Sequence, residues 1–412
     1  MAILGFNIKM SHFRWLLFVV LSISQLAYSN PNAPTPQDFQ TFLEHWREFH
    51  QIPGVVVSIS EPSKPVQTFK DGLADIITKR PVDSDSLFAI SSISKTFISA
   101  MVLRLVAQHK LNLTDPVDKW LPKYKNWHQV TILQLLNMTS GIYRFTEDPY
   151  FIQQRNANSI RRWSSEELIN IAYQHPNYFQ AGTSWQYSNT NYLLLGLIIE
   201  KITQQPLAWA LQKKLFQPLN LLHTFYISAL IPPALMPLMA HGYKEVNNHY
   251  KDVTNNDFSV YGAAGSIVSN TEDMVKWIRA LFTTILPAKQ LQQLVTVYHY
   301  RLPSQPPGSA YGLGIFSLET PQFGKIWWYT GLTEGYSSLL IWIPNQNIAI
   351  AATINGFRSN DMMVLFPEGT LFRYLIAYLG MEILPQPAVS TTIPPTNLPS
   401  PLAPVISLIQ KR

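Results

Sequence analysis

The order of predicted elements along this 412-residue chain indicates a one-domain α/β fold with a helical region inserted in its middle. Strand-like segments occur near both ends, whereas helix-like segments dominate from about residue 111 to 259. The composition fits a large globular core, because 47% of the residues are hydrophobic and only 14% are charged. We therefore expect the two ends of the chain, about 37–110 and 260–382, to build the α/β part together.

Charge and composition exclude several classes of function. The net charge is +6, but no basic run is longer than a pair such as Arg161-Arg162, so no nucleic-acid partner is expected. The absence of cysteine excludes disulfides, thiolate metal sites and a cysteine nucleophile. The ten histidines lack metal-ligand spacing, and the only Gly-x-Gly, Gly312-Leu313-Gly314, lacks the third glycine of a dinucleotide loop. We expect neither a metal nor a cofactor.

The first 29 residues have the pattern of a secretory signal. Lys9 and Arg14 precede a short apolar run, and Ala27-Tyr28-Ser29 then offers a cleavage site of the small-x-small type. The apolar run is shorter than the ~20 residues of a membrane-spanning helix, although an uncleaved anchor is the alternative. We expect a secreted or periplasmic protein, with a bacterial periplasm favoured by the lack of cysteine. Membrane association would then come only through an uncleaved signal.

The N-terminal third of the mature chain predicts two helices and a pair of strands. Apolar residues recur with helical spacing from Gln37 to about His50. Gly54–Ser60 and Pro65–Gly72 have the pattern of two strands joined by a turn. A strongly apolar helix is expected to begin directly after Ser92.

The rest of the chain predicts further helices, a return to strands and a tail. Capping residues precede two of the helices, at Ser164–Glu167 and Ser269–Glu272, and the last helix is expected at about Met362–Leu379. The remaining predicted segments are a helix through Tyr192–Ile199 and strands at Tyr311–Leu318, Lys325–Thr330, Tyr336–Trp342 and Ile348–Ile354. The domain is expected to span 30–385, with a proline-rich extended tail over 386–412.

The strongest chemical signal is Ser92-Ile93-Ser94-Lys95, the only Ser-x-x-Lys in the chain. Residues three apart on a helix share a face, so the hydroxyl of Ser92 and the amine of Lys95 are expected to meet. A serine needs a base to become a nucleophile, and a buried lysine of lowered pKa can be that base or can tune another. The alternative is a helix-capping serine beside a solvated lysine.

Two further segments carry weaker signals. Tyr187-Ser188-Asn189 could direct a phenol and an amide into one cleft if the segment is extended. Tyr124-Lys125-Asn126 matches the same pattern, but its charged surroundings predict a surface position. Tyr329-Thr330-Gly331 ends a strand-like run, where a glycine lets substrate backbone approach and nearby N–H groups can stabilise an oxyanion.

Taken in this order, the three segments resemble those of the serine β-lactamase and penicillin-binding-protein superfamily. The resemblance is closer to the branch of class C β-lactamases and D-alanyl-D-alanine carboxypeptidases, and it covers about residues 37–380. Further segments fit that branch: Phe88–Phe97, Leu113–Val117, Leu135–Gly141, Ala263–Ser269 and Tyr311–Gly314. The resemblance implies an antiparallel sheet flanked by helices, with an inserted helical domain.

The resemblance also implies roles for individual residues in an acyl-enzyme mechanism. Ser92 would be the nucleophile, and Lys95 and Tyr187 would carry its proton. The substrate-binding residues would be Asn189, which would also position Lys95, together with Tyr329, Thr330, Gly331 and Leu332. The oxyanion would lie between the backbone N–H groups of Ser92 and Leu332, and Thr330 would contact the far end of the substrate.

One departure from the family pattern bears on the substrate. The third motif usually opens with lysine or histidine, which pairs with a substrate carboxylate, whereas this chain has Tyr329. A neutral hydroxyl binds a carboxylate less strongly than a cation does, so efficient β-lactam hydrolysis is not expected, and weak β-lactamase activity is a less favoured reading. The leading hypothesis is an exported serine hydrolase of a carboxylic ester or a D-amino-acid amide or peptide, such as a peptidoglycan stem peptide. The alternative is a non-catalytic cell-wall-binding or scaffolding module.

Overall fold

A computed structural model describes residues 34–298, 308–321, 323–358, 364–365 and 369–380. The predicted signal segment and the proline-rich tail both lie outside these described residues. Within them, the chain forms a mixed α/β structure with antiparallel sheets and flanking helices, and this confirms the predicted fold class.

The main sheet brings the two ends of the chain together. Its eight strands run in the order β3-β2-β1-β13-β12-β11-β10-β9, and every neighbouring pair is antiparallel. The strands are β1 Gly54–Ser60, β2 Gln67–Asp75, β3 Arg80–Pro81, β9 Ser309–Tyr311, β10 Phe316–Thr320, β11 Gly324–Thr333, β12 Tyr336–Ile343 and β13 Ile348–Ile354. Because β1 lies beside β13, with Val55 opposite Ile354, the N-terminal and C-terminal segments share one sheet.

The helices cover the sheet and fill the middle of the chain. Their bounds are α1 Pro36–Phe49, α2 Ser94–Ala107, α3 Val117–Trp120, α4 Ile132–Leu136, α5 Pro149–Ala157, α6 Ser165–Tyr173, α7 Asn189–Thr203, α8 Leu207–Leu211, α9 Thr271–Thr283, α10 Ala288–Leu294 and α11 Thr370–Tyr378. Helix α9 packs on β1, β12 and β13, whereas α1 packs on β2 and α11. The predicted capping box at Ser164 is present, and Asn270 caps α9. No helix of the described ranges has the length and apolarity needed to cross a membrane.

Helix α2 lies at the centre of the molecule. Eleven of its fourteen residues are buried, as expected for a helix that is apolar on nearly all sides. It packs against α7 of the helical region and against α10. Phe97 stacks on Trp277 of α9 with 3.7 Å between ring centroids, and the Trp277 indole donates a hydrogen bond to Thr96. This packing fixes the helix that follows Ser92.

The middle of the chain is less uniformly helical than its sequence predicts. It contributes β5 Phe225–Tyr226, β6 Tyr243–Val246 and β7 His249–Asp252 to two small sheets, in which the other strands are β4 Phe88–Ala89, β8 Ile267–Ser269 and β14 Gly356–Phe357. The expected surface position of Tyr124 is wrong. Its side chain is only 2% exposed and packs on Trp127 and Tyr173, because aromatic packing outweighs the charged neighbours.

Three predicted boundaries differ from the observed ones. Tyr311–Leu318 is not one strand but parts of β9 and β10, joined by a tight turn in which Gly314 has a φ of 90°. The second strand lies about two residues later than predicted, at β2. The last helix begins at Thr370, and the start expected at Met362 lies outside the described residues.

Candidate active site

Ser92 lies at a sharp change in chain direction between β4 and α2. It is the middle residue of a single 3-10 turn, Ser91–Ile93, that leads directly into α2. The preceding Ser91 has a φ of 48°, which a residue with a side chain adopts only under constraint from its surroundings. Part of that constraint comes from β8, because the Ile90 N–H donates to the carbonyl of Ile267, and the Ile267 N–H donates to the hydroxyl of Ser94.

Lys95 reaches Ser92 from one turn further along the same helical face. Its Nζ lies 3.0 Å from the Ser92 Oγ and donates a second hydrogen bond, of 2.7 Å, to the carbonyl of Ala264. The side chain is completely buried. Burial, followed by the positive charge of Arg144, lowers the pKa of Lys95 well below its usual value. A neutral amine at this distance can accept the serine proton.

Tyr187 approaches the same serine from the segment that precedes α7. Its hydroxyl donates a 2.9 Å hydrogen bond to the Ser92 Oγ, and the Lys95 Nζ lies 4.9 Å from the centre of its ring. Burial raises the pKa of Tyr187, although the hydrogen bonds with Ser92 and Tyr329 oppose that rise. Tyr187 is therefore a phenol that can give a proton, whereas Lys95 is an amine that can take one.

Tyr329 lies behind Tyr187 rather than at the surface of a cleft. Its side chain is 1% exposed, and its hydroxyl donates to the Tyr187 hydroxyl over 3.4 Å. The hydroxyl of Tyr311 lies 3.0 Å from that of Tyr329, so three tyrosine hydroxyls form a chain that ends at Ser92. Burial raises the pKa values of Tyr311 and Tyr329 well above the ordinary one, and both are neutral phenols.

Asn189 does not make the predicted hydrogen bond to Lys95. It is the first residue of α7 and therefore helical rather than extended. Among the described residues, its side chain makes no hydrogen bond to Lys95, whose second partner is instead the Ala264 carbonyl. The Ala264 carbonyl therefore accepts the hydrogen bond from Lys95 that the sequence analysis assigned to the Asn189 side chain. Asn189 is half-buried and lies two residues after Tyr187 in the chain.

Strand β11 places the other predicted residues next to the nucleophile segment. A Cβ on Gly331 would lie 2.0 Å from the Ile90 carbonyl oxygen and 2.4 Å from the Ser338 Oγ. Glycine is therefore needed at this position, because the segment that carries Ser92 packs directly against the backbone of β11. This packing is a reason for glycine that the sequence analysis did not include, and close approach of the substrate stays a prediction. Thr330 is half-buried, and Leu332 is 39% exposed.

Sequence reasoning assigned no role to three groups that the fold brings to the site: the Ala264 carbonyl, the Tyr311 hydroxyl and the Arg144 guanidinium. Ala264 and Tyr311 lie in segments that fit the family pattern, and this fit was the sequence signal that could have pointed to them. Arg144 lies 5.7 Å from the centre of the Tyr187 ring, and no sequence pattern pointed to it. In the described part of the chain, no group of three histidine or acidic residues could hold a metal ion.

Comparison with known proteins agrees with this arrangement. Residues 39–367 match the beta-lactamase family. The chain is 26% identical to penicillin-binding protein 4* of Bacillus subtilis over 73% of this chain and 68% of that protein, and 27% identical to the beta-lactamase of Escherichia coli over 75% and 85%. The structure superposes on a D-stereospecific amidohydrolase from Streptomyces with a TM-score of 0.70 and 28% identity, covering 82% of this chain and all of that one.

Ser92, Lys95 and Tyr187 meet within hydrogen-bonding distance on this fold, and the family match extends over most of the chain. The chain therefore belongs to the beta-lactamase family of serine hydrolases.

Proposed function

We propose that the protein is an exported serine hydrolase that cleaves a carboxylic ester or a D-amino-acid amide or peptide through an acyl-enzyme on Ser92. One observation carries this proposal: the Ser92 Oγ has hydrogen bonds with both the Lys95 Nζ and the Tyr187 hydroxyl. Their pKa shifts, lowered for the amine and raised for the phenol, give the serine one proton acceptor and one proton donor.

In acylation, the Ser92 Oγ attacks the substrate carbonyl while its proton passes to the neutral Lys95. The oxyanion is held by the backbone N–H groups of Ser92 and Leu332. When the bond to the leaving group breaks, Tyr187 gives its proton to the departing oxygen or nitrogen. The site then contains the acyl-serine, a lysine ammonium and a tyrosine phenolate.

In deacylation, the Tyr187 phenolate takes a proton from water, and the resulting hydroxide attacks the acyl-serine. As the acid product leaves, the Lys95 ammonium returns its proton to the Ser92 oxygen. Both groups regain their starting states, so each turnover consumes only the substrate and one water. Thr330 offers its hydroxyl to the far end of the substrate.

The substrate class is supported from two sides. The Streptomyces protein of similar fold is a D-stereospecific amidohydrolase, which favours a D-amino-acid amide or peptide such as a stem peptide. Tyr329 is neutral and buried. This favours an ester over a substrate whose carboxylate is bound by a cation in the third motif. For the same reason, we expect hydrolysis of β-lactams to be slow relative to hydrolysis of activated esters.

Export is part of the proposal and rests on residues 1–29. We expect the mature chain to begin at Asn30 and to lie in the periplasm or the medium. Expression of the full chain in a bacterium, followed by mass spectrometry of the N-terminus in each cell fraction, tests this. A cytoplasmic chain that still carries Lys9 and Arg14 would refute export.

Hydrolysis of a short-chain activated ester by residues 30–412 tests the chemistry, with Ser92→Ala and Ser91→Ala as the matched pair of variants. Turnover should vanish in Ser92→Ala. It should persist in Ser91→Ala, because the buried Ser91 hydroxyl has no hydrogen-bond partner among the described residues. If Ser92→Ala hydrolyses the ester as fast as the wild type, the nucleophile is wrong. If the wild type cleaves neither esters nor D-amino-acid amides and peptides, the alternative of a cell-wall-binding module replaces the proposal.

A further inference from the structure

Arg144 brings a positive charge to the side of the site where Tyr187 lies. Its guanidinium carbon is 5.7 Å from the centre of the Tyr187 ring. Its charge acts on both proton-transfer groups, since it contributes, after burial, to the lowered pKa of Lys95, and it opposes the rise in the pKa of Tyr187. A substrate bound at Ser92 would therefore lie in the field of this arginine.

The side chain of Arg144 is held in place and yet keeps free donors. Its Nε donates to the Thr146 hydroxyl over 2.9 Å, and one terminal nitrogen pairs with Glu147 at 3.2 Å. The Tyr178 hydroxyl links Arg144 to Glu147 a second time, because it accepts from the Arg144 backbone N–H and donates to the Glu147 carboxylate. The other terminal nitrogen, Nη2, has no hydrogen-bond partner among the described residues. The side chain is 32% exposed, so solvent and substrate can reach it.

The position of Arg144 matters because Tyr329 supplies no cation. Lys95 does not supply this cation either when the substrate binds, because its buried amine is neutral before acylation in the mechanism above. Arginine is well suited to this task, since its fixed charge and planar donors match the geometry of a carboxylate.

We propose that Arg144 is the residue that binds a carboxylate of the substrate, so that the enzyme prefers anionic esters, amides or peptides over their neutral counterparts. This inference rests on the proposed function, because it describes selectivity at the same site. The carboxylate can belong to the acyl part or to the leaving group, and the experiment separates these two cases.

Two matched substrate pairs measure the preference. In the first, the acyl chain ends in a carboxylate or in its carboxamide isostere: the 4-nitrophenyl monoesters of glutaric acid and glutaramic acid. In the second, the difference is in the leaving group: 3-acetoxybenzoate and 3-acetoxybenzamide. The readout is the ratio of kcat/KM for the anionic member to that for the neutral member. This ratio cancels any change in Lys95 basicity, because both members of a pair use the same base.

In the wild type we expect the ratio to exceed one in at least one pair and to decline with added salt. Arg144→Gln should lower that ratio about tenfold or more, as expected for the loss of a charge-assisted hydrogen bond. Arg144→Lys should retain part of it. Arg162→Gln is the matched control, since it removes an exposed arginine outside the site and should leave both ratios unchanged. Equal ratios in the wild type and Arg144→Gln for both pairs would overturn the inference.

Binding without turnover separates this inference from the proposed function. Millimolar glutarate should raise the Tm of the wild type more than glutaramate does at equal ionic strength, and Arg144→Gln should abolish the difference. If neither esters nor D-amino-acid amides and peptides are cleaved but this difference is present, the hydrolase proposal fails and the carboxylate site stands. If esters are cleaved but both the ratios and the Tm difference are insensitive to Arg144, the hydrolase proposal stands and the carboxylate site fails.

Discussion

The hydroxyl of Tyr329 donates a hydrogen bond to the hydroxyl of Tyr187, with 3.4 Å between the two oxygens. Tyr187 in turn donates to Ser92, so the first residue of the third motif acts on the nucleophile through another side chain. Donation to Tyr187 stabilises its phenolate and thus helps it to release a proton. A neutral tyrosine can do this from a buried position, where a lysine would have to lose its charge.

This relationship predicts that Tyr329→Phe lowers kcat for a neutral ester by roughly 3- to 10-fold and leaves KM nearly unchanged. The loss corresponds to about 0.5–1.5 kcal/mol for one neutral hydrogen bond. Tyr311→Phe should have a smaller effect, and the double variant should be no slower than Tyr329→Phe, because Tyr311 acts through Tyr329. Steady-state kinetics of the four proteins measures this. Tyr124→Phe is the control, since that buried hydroxyl has no partner among the described residues and lies outside the site. Additive losses in the double variant would contradict the chain of hydroxyls.

The lowered pKa of Lys95 predicts the acid side of the pH profile. The amine must be neutral to take the serine proton, so kcat/KM should fall as the pH falls through the pKa of Lys95 in the folded protein. That pKa lies well below the usual 10.5. Arg144→Gln removes a neighbouring positive charge, so the pKa of Lys95 should rise and the acid limb should move to higher pH. The pH profile of kcat/KM is measured with a neutral ester. If the acid limb of Arg144→Gln stays in place or moves to lower pH, Arg144 does not act on Lys95.

The tight packing at Gly331 predicts that even a methyl group disrupts the site. In Gly331→Ala the new Cβ would clash with the Ile90 carbonyl and push β11 away from the turn that carries Ser92. We expect a loss of about 1–3 kcal/mol in stability and a fall in kcat/KM of about 100-fold, since small displacements of reacting groups are that costly. Denaturant unfolding and ester kinetics measure the two effects. Lys325→Ala, on the exposed part of β11, should change the stability by less than about 0.5 kcal/mol. Full activity in Gly331→Ala would refute the packing argument.

The turn after β11 is held by a cluster of polar contacts around Glu334. Its carboxylate accepts from Lys244 at 2.6 Å and from Asn256 at 2.9 Å, and lies 3.5 Å from Arg155, whose side chain is 11% exposed. Glu334→Gln should destabilise the protein by about 1–2 kcal/mol, because it leaves the largely buried arginine without its counter-charge. Glu319→Gln removes an exposed pair with Lys325 and should cost less than about 0.5 kcal/mol. Urea unfolding of both variants measures the difference, and equal stabilities would contradict the role of Glu334.

The sequence by itself determined the fold class, about half of the described helices, most strands of the main sheet, and the meeting of Ser92 with Lys95. These features depend on local information. Apolar periodicity defines α2 and the strands, capping residues define the starts of α6 and α9, and a spacing of three residues on a helical turn places Lys95 beside Ser92. The family resemblance added the roles of Tyr187 and of the Tyr329-Thr330-Gly331 segment, because the order of motifs along the chain carries information that no single motif contains.

Only the tertiary structure decided what surrounds those residues. Three contacts join segments that lie apart in the chain: Ala264 with Lys95, Tyr311 with Tyr329, and Arg144 with Tyr187. The tertiary structure also decided that Asn189 begins a helix and makes no hydrogen bond to Lys95 among the described residues. It decided as well that Gly331 leaves room for the Ile90 carbonyl. Local patterns specify which face of an element is apolar, but which side chains meet across the core depends on how all the elements pack together.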